Sequence, residues 1–477
     1  MPPTAVTIPL GASLTEEEAR AIYAQGEAAV VFALLQQAKM LAEQRALSAA
    51  TSYASPSTPS GMKPPYQKPS PPTRGKKKPG RKAGHPGSRR ETPAVIDRRV
   101  THRARVCPDC GGPLKRCSET RTRYTEDIPD HLQPEVTEHT LHRDWCSTCK
   151  KKVEAVVTEA MPNATLGNRT VALSAWLHYG LGVTLSQLVD VFNFHLTMTL
   201  TPGGLIQMWQ RLARVMAAWH EEIQRQALAS AVLHADETGW RVNGKTHWLW
   251  CFATENLSYF MIDHSRGSPA LLKMFTREFD GVLVTDFWAA YNALACAARQ
   301  KCLVHLLRDL EQVEKYQSPG PEWAGFAKKL RRLIMDAIRL RRRRDTHSPQ
   351  AYDSRRQCVI RRLQKLIDTP WTDKQAKRLI KRFRRHQQEL FAFLDHPDVP
   401  FDNNLAERSI RPAVILRKNS NGNRSPQGAD TQAVLMSVLF TLKKRGLNPV
   451  LVIRDALTGY LQTGELPPLP EKSAPDG

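Results

Sequence analysis

Ala231-Val-Leu-His-Ala-Asp236, then Gly239-Trp-Arg-Val-Asn-Gly-Lys-Thr-His-Trp-Leu-Trp-Cys-Phe-Ala253, then Leu257-Ser-Tyr-Phe-Met-Ile-Asp263 reads as three strands in a row. Asn243-Gly244 between aromatic and β-branched flanks is a two-residue hairpin signal, because both residue types accept positive φ. The three strands are therefore expected to be antiparallel. Ser268-Pro269 signals the start of a helix over 269–277, and Gly281-Val-Leu-Val-Thr-Asp286 is an apolar run suited to a central parallel strand. A helix with Tyr291, Leu294 and Ala297, then a short strand Lys301-Cys-Leu-Val-His305, complete the order βββαβαβ. That order is the ribonuclease-H-like arrangement, in which the first and fourth strands lie side by side.

The same order brings acids together. Asp236 near the end of the first strand and Asp286 at the end of the fourth become neighbours at one end of the sheet. Side chains alternate faces along a strand, so His234 shares the face of Asp236 while Glu237 points the other way and is the weaker ligand candidate. Asp263 also ends a strand, but the topology favours Asp286. A third acid, Glu407, lies in Asp402-Asn-Asn-Leu-Ala-Glu407-Arg408-Ser-Ile-Arg411-Pro412. Two readings stand for it: a helix-capping Glu paired with Asn404, or a metal ligand flanked by phosphate-binding arginines. Three converging carboxylates can hold two divalent cations, which together stabilise the attacking and leaving oxygens of a phosphodiester.

Outside these stretches the chain is strongly basic. Its 477 residues suffice for two or three domains, and 69 Lys plus Arg against 46 Asp plus Glu give a formal charge of +23. Residues 331–390 hold 19 Lys or Arg and 6 Asp or Glu, so more than half of the excess sits in one window. Such an excess implies a polyanionic partner, nucleic acid above all, because cations that neutralise phosphates release counterions. No apolar run approaches a membrane span and no signal-peptide pattern opens the chain, so a cytoplasmic protein without membrane contact is expected.

Cys107-Pro-Asp-Cys110-Gly-Gly and Cys146-Ser-Thr-Cys149 form two Cys-x-x-Cys knuckles, an arrangement that closes four thiolates around a structural Zn²⁺. Residues 15–48 carry Ile22, Val30, Val31, Leu34, Leu35, Ala38 and Leu41 on one side of an expected helix, after a Thr15/Glu18 capping box. The helix reads either as a short coiled coil that pairs protomers or as an element packed on its own domain. Residues 55–90 hold nine prolines, ten basic residues and no acid, a composition of disordered linkers that either track DNA or merely space domains. Over 168–225 a helical stretch is expected to bury Leu173, Trp176, Leu177 and Leu181. Thr184-Leu-Ser-Gln-Leu-Val-Asp-Val-Phe and Pro202-Gly-Gly-Leu-Ile-Gln-Met-Trp within it have the rhythm of a helix-turn-helix, or of an ordinary helical pair.

The expected division is thus a multidomain α+β chain: an N-terminal helix (1–50), a Pro/Lys-rich linker (51–100), a zinc-ribbon-like module (101–160) and a helical, DNA-binding region (165–228). A ribonuclease-H-like α/β catalytic core follows (229–318 and 395–445), with a basic helical insertion (319–394) and a C-terminal helix and tail (446–477).

The Asp402–Pro412 stretch, with Arg417-Lys418-Asn419 and Gly446-Leu-Asn-Pro449, closely resembles the transposases of the insertion sequence 66 family. The likeness extends to His234-Ala-Asp-Glu-Thr, Thr285-Asp-Phe-Trp-Ala-Ala-Tyr, Cys302-Leu-Val-His305, Gly80-Arg-Lys-Ala-Gly-His-Pro-Gly87 and the cysteine knuckles, and covers almost the whole chain. It implies a DDE transposase with Asp236, Asp286 and Glu407 as the triad, and DNA contacts on the insertion between the second and third acids. Leu303, Val304 and Leu307 depart from the family's usual Cys-Trp-Ala-His followed by two arginines, as does Ser420-Asn421 from its aromatic pair.

On that resemblance, Asp236 bridges two Mg²⁺ (or Mn²⁺) ions, Asp286 holds one and Glu407 the other. Arg408, Arg411, Arg417 and Lys418 clamp phosphates, and His305 either orients one or merely packs with Cys302 at a strand end. The partners implied are DNA, as terminal inverted repeats and target, a second copy of the chain when DNA is bound, and small accessory proteins of the same element. The competing expectations are a ribonuclease-H-like nuclease or resolvase, and a non-catalytic DNA-binding repressor.

Overall fold

The computed structural model describes residues 16–24, 26–27, 30–31, 34–35, 94–115, 120–125, 127–129, 132–275, 278–316 and 320–471. The expected linker at 55–90 and Ala38 and Leu41 of the expected N-terminal stripe lie outside them, while Val31, Leu34 and Leu35 of that stripe are exposed. The chain divides into two compact units, one of residues 1–68, 138–189 and 200–477, the other of residues 69–137 and 190–199.

In the first unit, helix α1 spans Glu16–Tyr23, and strands β1 (Arg143–Cys146) and β2 (Lys151–Glu154) form an antiparallel hairpin. Helices α2 (Asn168–Ala175), α3 (Leu185–Asp190), α4 (Pro202–Val215) and α5 (Ala217–Leu228) follow. Pro202 at the first turn and Thr201, whose hydroxyl accepts the Gly204 N–H at 3.2 Å, start α4. The two helices of the expected helix-turn-helix are therefore present as elements. The expected apolar stripe is not the buried one: Val171, Ala172, Ala175 and Tyr179 are buried, while Leu181 is 52% exposed. Small residues let α2 approach its neighbours closely, and the π turn Trp176–Gly180 wraps Trp176 against Gly180, where any Cβ would strike the indole.

Strands β3 (Val232–Val242), β4 (Lys245–Ala253) and β5 (Ser258–Asp263), helix α6 (Ser268–Met274), and strands β6 (Phe279–Thr285) and β7 (Cys296–Lys301) build a five-stranded sheet of order β5-β4-β3-β6-β7. β3, β4 and β5 are antiparallel, and β6 and β7 run parallel to β3. Asn243 and Gly244 turn the β3–β4 hairpin with φ of 49° and 72°. Two placements need correction. The expected helix through Ala297 is a short 3-10 turn, Ala289–Ala293, because strand β7 begins at Cys296. His305 accordingly lies not at a strand end but on helix α7 (Leu303–Tyr316). The Lys301-to-His305 run is too short to show the change from strand to helix periodicity.

Helices α8 (Pro321–Arg342), α9 (Pro349–Asp368) and α10 (Lys374–His386) fill the space between the second and third acids. They do not form a separate core: Phe326, Leu333, Leu363 and Phe383 belong to one buried cluster with Val282, Val284, Leu303 and Leu306 from β6 and α7. Buried Asp309 of α7 fastens α10, accepting from Arg378 at 2.7 Å and Arg382 at 2.9 Å. Helices α11 (Asn404–Ser420), α12 (Pro426–Lys444) and α13 (Pro449–Thr463) complete the chain. α12 covers the outer strand β5, whose Phe260 and Ser258 N–H groups donate to Ser437 and Thr441 hydroxyls at 2.8 and 3.1 Å. An edge that would otherwise present free donors is closed by side chains.

Candidate active site

Parallel pairing of β3 with β6 matches His234 to Val284. Asp236 lies two residues further along β3, and Asp286 directly follows Thr285, the last residue of β6, at the position that the two-residue repeat puts on the same face. The expected juxtaposition of these acids is thus built into the register. Asp286 is 7% exposed and Asp236 is half-buried. Their short-range partners are backbone: the Glu237 N–H donates to Asp236 Oδ1 at 2.9 Å, and the Trp288 N–H to Asp286 Oδ1 at 2.8 Å.

Among the described residues neither carboxyl has an ion-pair partner. Burial, followed by the negative charges of Glu237 and Asp286 and a smaller push from Glu407, holds Asp236 well above the usual carboxylate range. Asp286 is also raised by burial, against the Trp288 bond and the charges of His305, Lys301 and Arg266. Crowded, underneutralised carboxylates are what a bound cation relieves, and a set of hard oxygen donors suits Mg²⁺ or Mn²⁺. Asp236 and Asp286 offer the oxygen donors such an ion takes, although among the described residues the group of three whose ligand-type atoms close to within 4.8 Å is a different one.

Glu407 sits in the first turn of α11, whose N-cap is Asn403 rather than Asn404. It is the fourth helical residue, one too far for a capping box, and its N–H closes the first helical bond to the Asn403 carbonyl at 3.1 Å. Its carboxylate faces α7 instead: Arg308 donates at 3.4 Å and His305 Nε2 stands 3.8 Å away. Cys302, His305 and Glu407 bring their ligand-type atoms within 4.8 Å of one another. Burial pushes the Cys302 thiol up to about 12, and its sulfur accepts the Asn403 N–H at 3.2 Å. That thiol is a packed acceptor, while the His305 ring lies among Asp286, Glu407, Arg308 and Arg382.

The basic residues of α11 divide. Arg408, Arg411 and Lys418 are exposed. Arg417 turns inward, donating to Thr238 Oγ1 at 2.9 Å and to the Gly239 carbonyl, and so ties α11 to β3. Glu237 is buried and occupied, accepting from Arg266 at 2.9 Å and from the Tyr291 hydroxyl at 2.6 Å. Asp263 is likewise occupied, by Lys273 and by His264 at 3.2 Å.

Sequence reading missed Asn403, which bridges β3 and α11, although it lies within the stretch that carried Glu407. Tyr291 and Trp288 were visible in Thr285-Asp-Phe-Trp-Ala-Ala-Tyr, but their role depends on Arg266, which no local pattern marks.

Around Cys107 the chain turns tightly, with the Gly111 N–H donating to the Cys107 carbonyl and the Cys107 N–H to the Gly112 carbonyl, each at 2.9 Å. The Cys149 N–H donates to Cys146 Sγ at 3.3 Å. Hydrogen bonds from backbone near Cys110 and Cys149 lower the Cys107 and Cys146 thiols below their usual value, which favours the thiolate form that metals require.

A family model described as "zinc-finger binding domain of transposase IS66" matches residues 104–150, which include all four cysteines. Three relatives from Sinorhizobium fredii (strain NBRC 101917 / NGR234) are also similar. "Uncharacterized protein y4jD" is 25% identical over 387 residues, 74% of each chain. "Uncharacterized protein y4hP" is 21% identical over 396 residues, 74% of this chain and 70% of its own. "Uncharacterized protein y4qI" is 25% identical over 292 residues, about half of each chain. A second family model, described as "Transposase IS66 family", matches residues 163–431. That span takes in the whole sheet, its insertion and all three acids, and the chain belongs to the IS66 family of transposases.

Proposed function

We propose that the chain cuts transposon ends and joins them to target DNA by metal-dependent phosphoryl transfer, with Asp236, Asp286 and Glu407 as the acidic triad. The observation that carries this reading is the register of β3 on β6, which sets two acids side by side with Glu407 close enough for its charge to be felt at Asp236. A sheet with its first strand central, two antiparallel strands on one side and two parallel strands on the other supports a ribonuclease-H-like core. When bound, a pair of Mg²⁺ or Mn²⁺ ions supplies stabilisation of the attacking and leaving oxygens and a water of lowered pKa.

The chain's own residues do the rest. Asp236 and Asp286 offer oxygens from a rigid sheet, while Glu407 offers one from a helix that Arg308 and His305 hold in place. Arg408 and Arg411, exposed on successive turns beyond Glu407, are placed to hold the phosphates flanking the scissile bond, with Lys418 further along the same helix. On the insertion, Lys329, Arg332, Arg362 and Lys365 line a groove between α8 and α9 with Leu333, Leu366 and Thr369, and Asp336 pairs with Arg362 at 2.9 Å and with Arg332 at 3.8 Å. Such a groove suits a DNA backbone. Cys107, Cys110, Cys146 and Cys149 are the proposed structural zinc ligands, on the zinc-finger match and the thiolate-favouring turns.

The test is incubation of the protein with end-sequence DNA, target DNA and Mg²⁺. Joined products are expected. Cleavage without joining would make the chain a nuclease or resolvase, and binding without cleavage a repressor.

A further inference from the structure

Behind the sheet end that carries Asp286 lies a set of contacts centred on Arg266. Its side chain, 16% exposed, donates to Glu237 Oε1 from two nitrogens, at 2.9 and 3.2 Å. Its guanidinium lies over two indoles, 3.7 Å from the ring centre of Trp288 and 4.5 Å from that of Trp248. Its backbone carbonyl accepts the Trp288 indole N–H at 3.0 Å. Trp288 is therefore gripped by face and by edge through one residue. The other oxygen of Glu237 accepts the Tyr291 hydroxyl, so the carboxylate that anchors Arg266 is itself held.

The backbone N–H of Trp288 fixes Asp286 Oδ1 at 2.8 Å. A carboxylate bonded through one oxygen presents the other in a defined direction, and the orientation is as firm as the donor's own position. The geometry points to Arg266 as a positioning residue for Asp286, acting through Trp288, with Glu237 and Tyr291 as its anchor. This inference rests on the proposed metal-binding role of Asp286. It also accounts for the burial of Glu237, since the acid adjacent to Asp236 holds the frame of the site from the opposite face of the sheet. An arginine is required because a planar guanidinium stacks on aromatic faces while offering several donors in a fixed fork, which a lysine cannot do.

The experiment compares the full chain with Arg266→Gln, Arg266→Lys, Trp288→Phe and Asp286→Asn. Mn²⁺ binding is read by electron paramagnetic resonance of the free ion, and the Mg²⁺ concentration for half-maximal DNA cleavage is read beside it. Trp288→Phe keeps a smaller aromatic face and loses the indole N–H, so it serves where Arg266→Gln does not fold. The expected result is Mn²⁺ binding weakened about tenfold in Arg266→Gln, a smaller weakening in Arg266→Lys and Trp288→Phe, and the Mg²⁺ requirement rising in step. Unchanged Mn²⁺ affinity in folded Arg266→Gln and Trp288→Phe, with Asp286→Asn losing the ion, overturns the positioning role and leaves the metal site standing. Asp286→Asn binding Mn²⁺ as tightly as the parent overturns both.

Discussion

Asn403 Oδ1 stands 3.0 Å from His234 Nδ1, while the Asn403 amide donates to the Ala235 carbonyl at 2.8 Å. An amide oxygen only accepts, so His234 carries its proton on Nδ1. Across 169 residues of sequence these bonds staple the start of α11 to β3, one residue before Asp236 and four before Glu407. Asn403→Ala removes both bonds and leaves buried groups unpaired, at a cost of about 2 kcal/mol. Urea denaturation is expected to show that loss, and Mn²⁺ binding is expected to weaken. Unchanged Mn²⁺ affinity would mean that Glu407 is held by α7 alone.

Asp236→Asn and Asp286→Asn each remove a charge that burial disfavours. Both variants are expected to melt at a higher temperature than the parent in the absence of divalent ions, yet to lose DNA cleavage by roughly 10³-fold, a barrier increase of about 4 kcal/mol. Glu407→Gln is expected to lose cleavage as well. Wild-type cleavage by any one of the three would remove that residue from the triad.

The insertion's groove makes a prediction about salt. If Lys329, Arg332 and Lys365 meet phosphates, their joint replacement by Gln is expected to flatten the dependence of log affinity on log salt by about 0.9 per lost contact. The measurement is duplex DNA binding by fluorescence anisotropy between low and moderate salt. A slope equal to that of the parent places the DNA elsewhere.

Acid is expected to destabilise the fold through two histidines outside the metal site. His178 stacks on Trp209 and donates to the Val183 carbonyl at 2.7 Å, and His220 stacks on Tyr259 and donates to the Phe260 carbonyl at 3.1 Å. Burial lowers both below the ordinary value of 6.5. The unfolded chain therefore takes up protons first, and stability present above pH 6.5 is lost as pH falls towards the folded-state values. Thermal melts between pH 7.5 and 5 are expected to fall, and His220→Phe to shallow that fall; an equal slope in the variant would assign the acid sensitivity to other groups.

Zinc removal is expected to loosen residues 101–160 selectively. A strong chelator, or Cys110→Ser with Cys149→Ser, should expose that segment to limited proteolysis while the near-ultraviolet dichroism of the tryptophan-rich sheet persists. Protease resistance of the segment after complete zinc loss would argue against a structural ion.

The strands were legible in the sequence because the hairpin and the apolar runs are local signals: Asn243-Gly244 marks a turn by its own φ preferences, and the Gly281–Thr285 run marks burial on both faces. From strand order alone, Asp236 and Asp286 follow as neighbours, since parallel pairing of the first and fourth strands leaves little freedom of register. Glu407 was ambiguous because a helix-capping Glu and a site Glu share one local pattern. Placing Asn403 at the cap and Glu407 opposite Arg308 takes the docking of α11 against α7, more than ninety residues apart. The bonds from Arg417 to β3 are hidden for the same reason, as an exposed clamp and a strand-binding guanidinium look alike until β3 is beside them. Composition and local pattern carry the elements, the charge and the family likeness. Which side of each charged residue faces a carboxylate, an indole or solvent is a property of contacts between distant segments, and only the tertiary structure decides it.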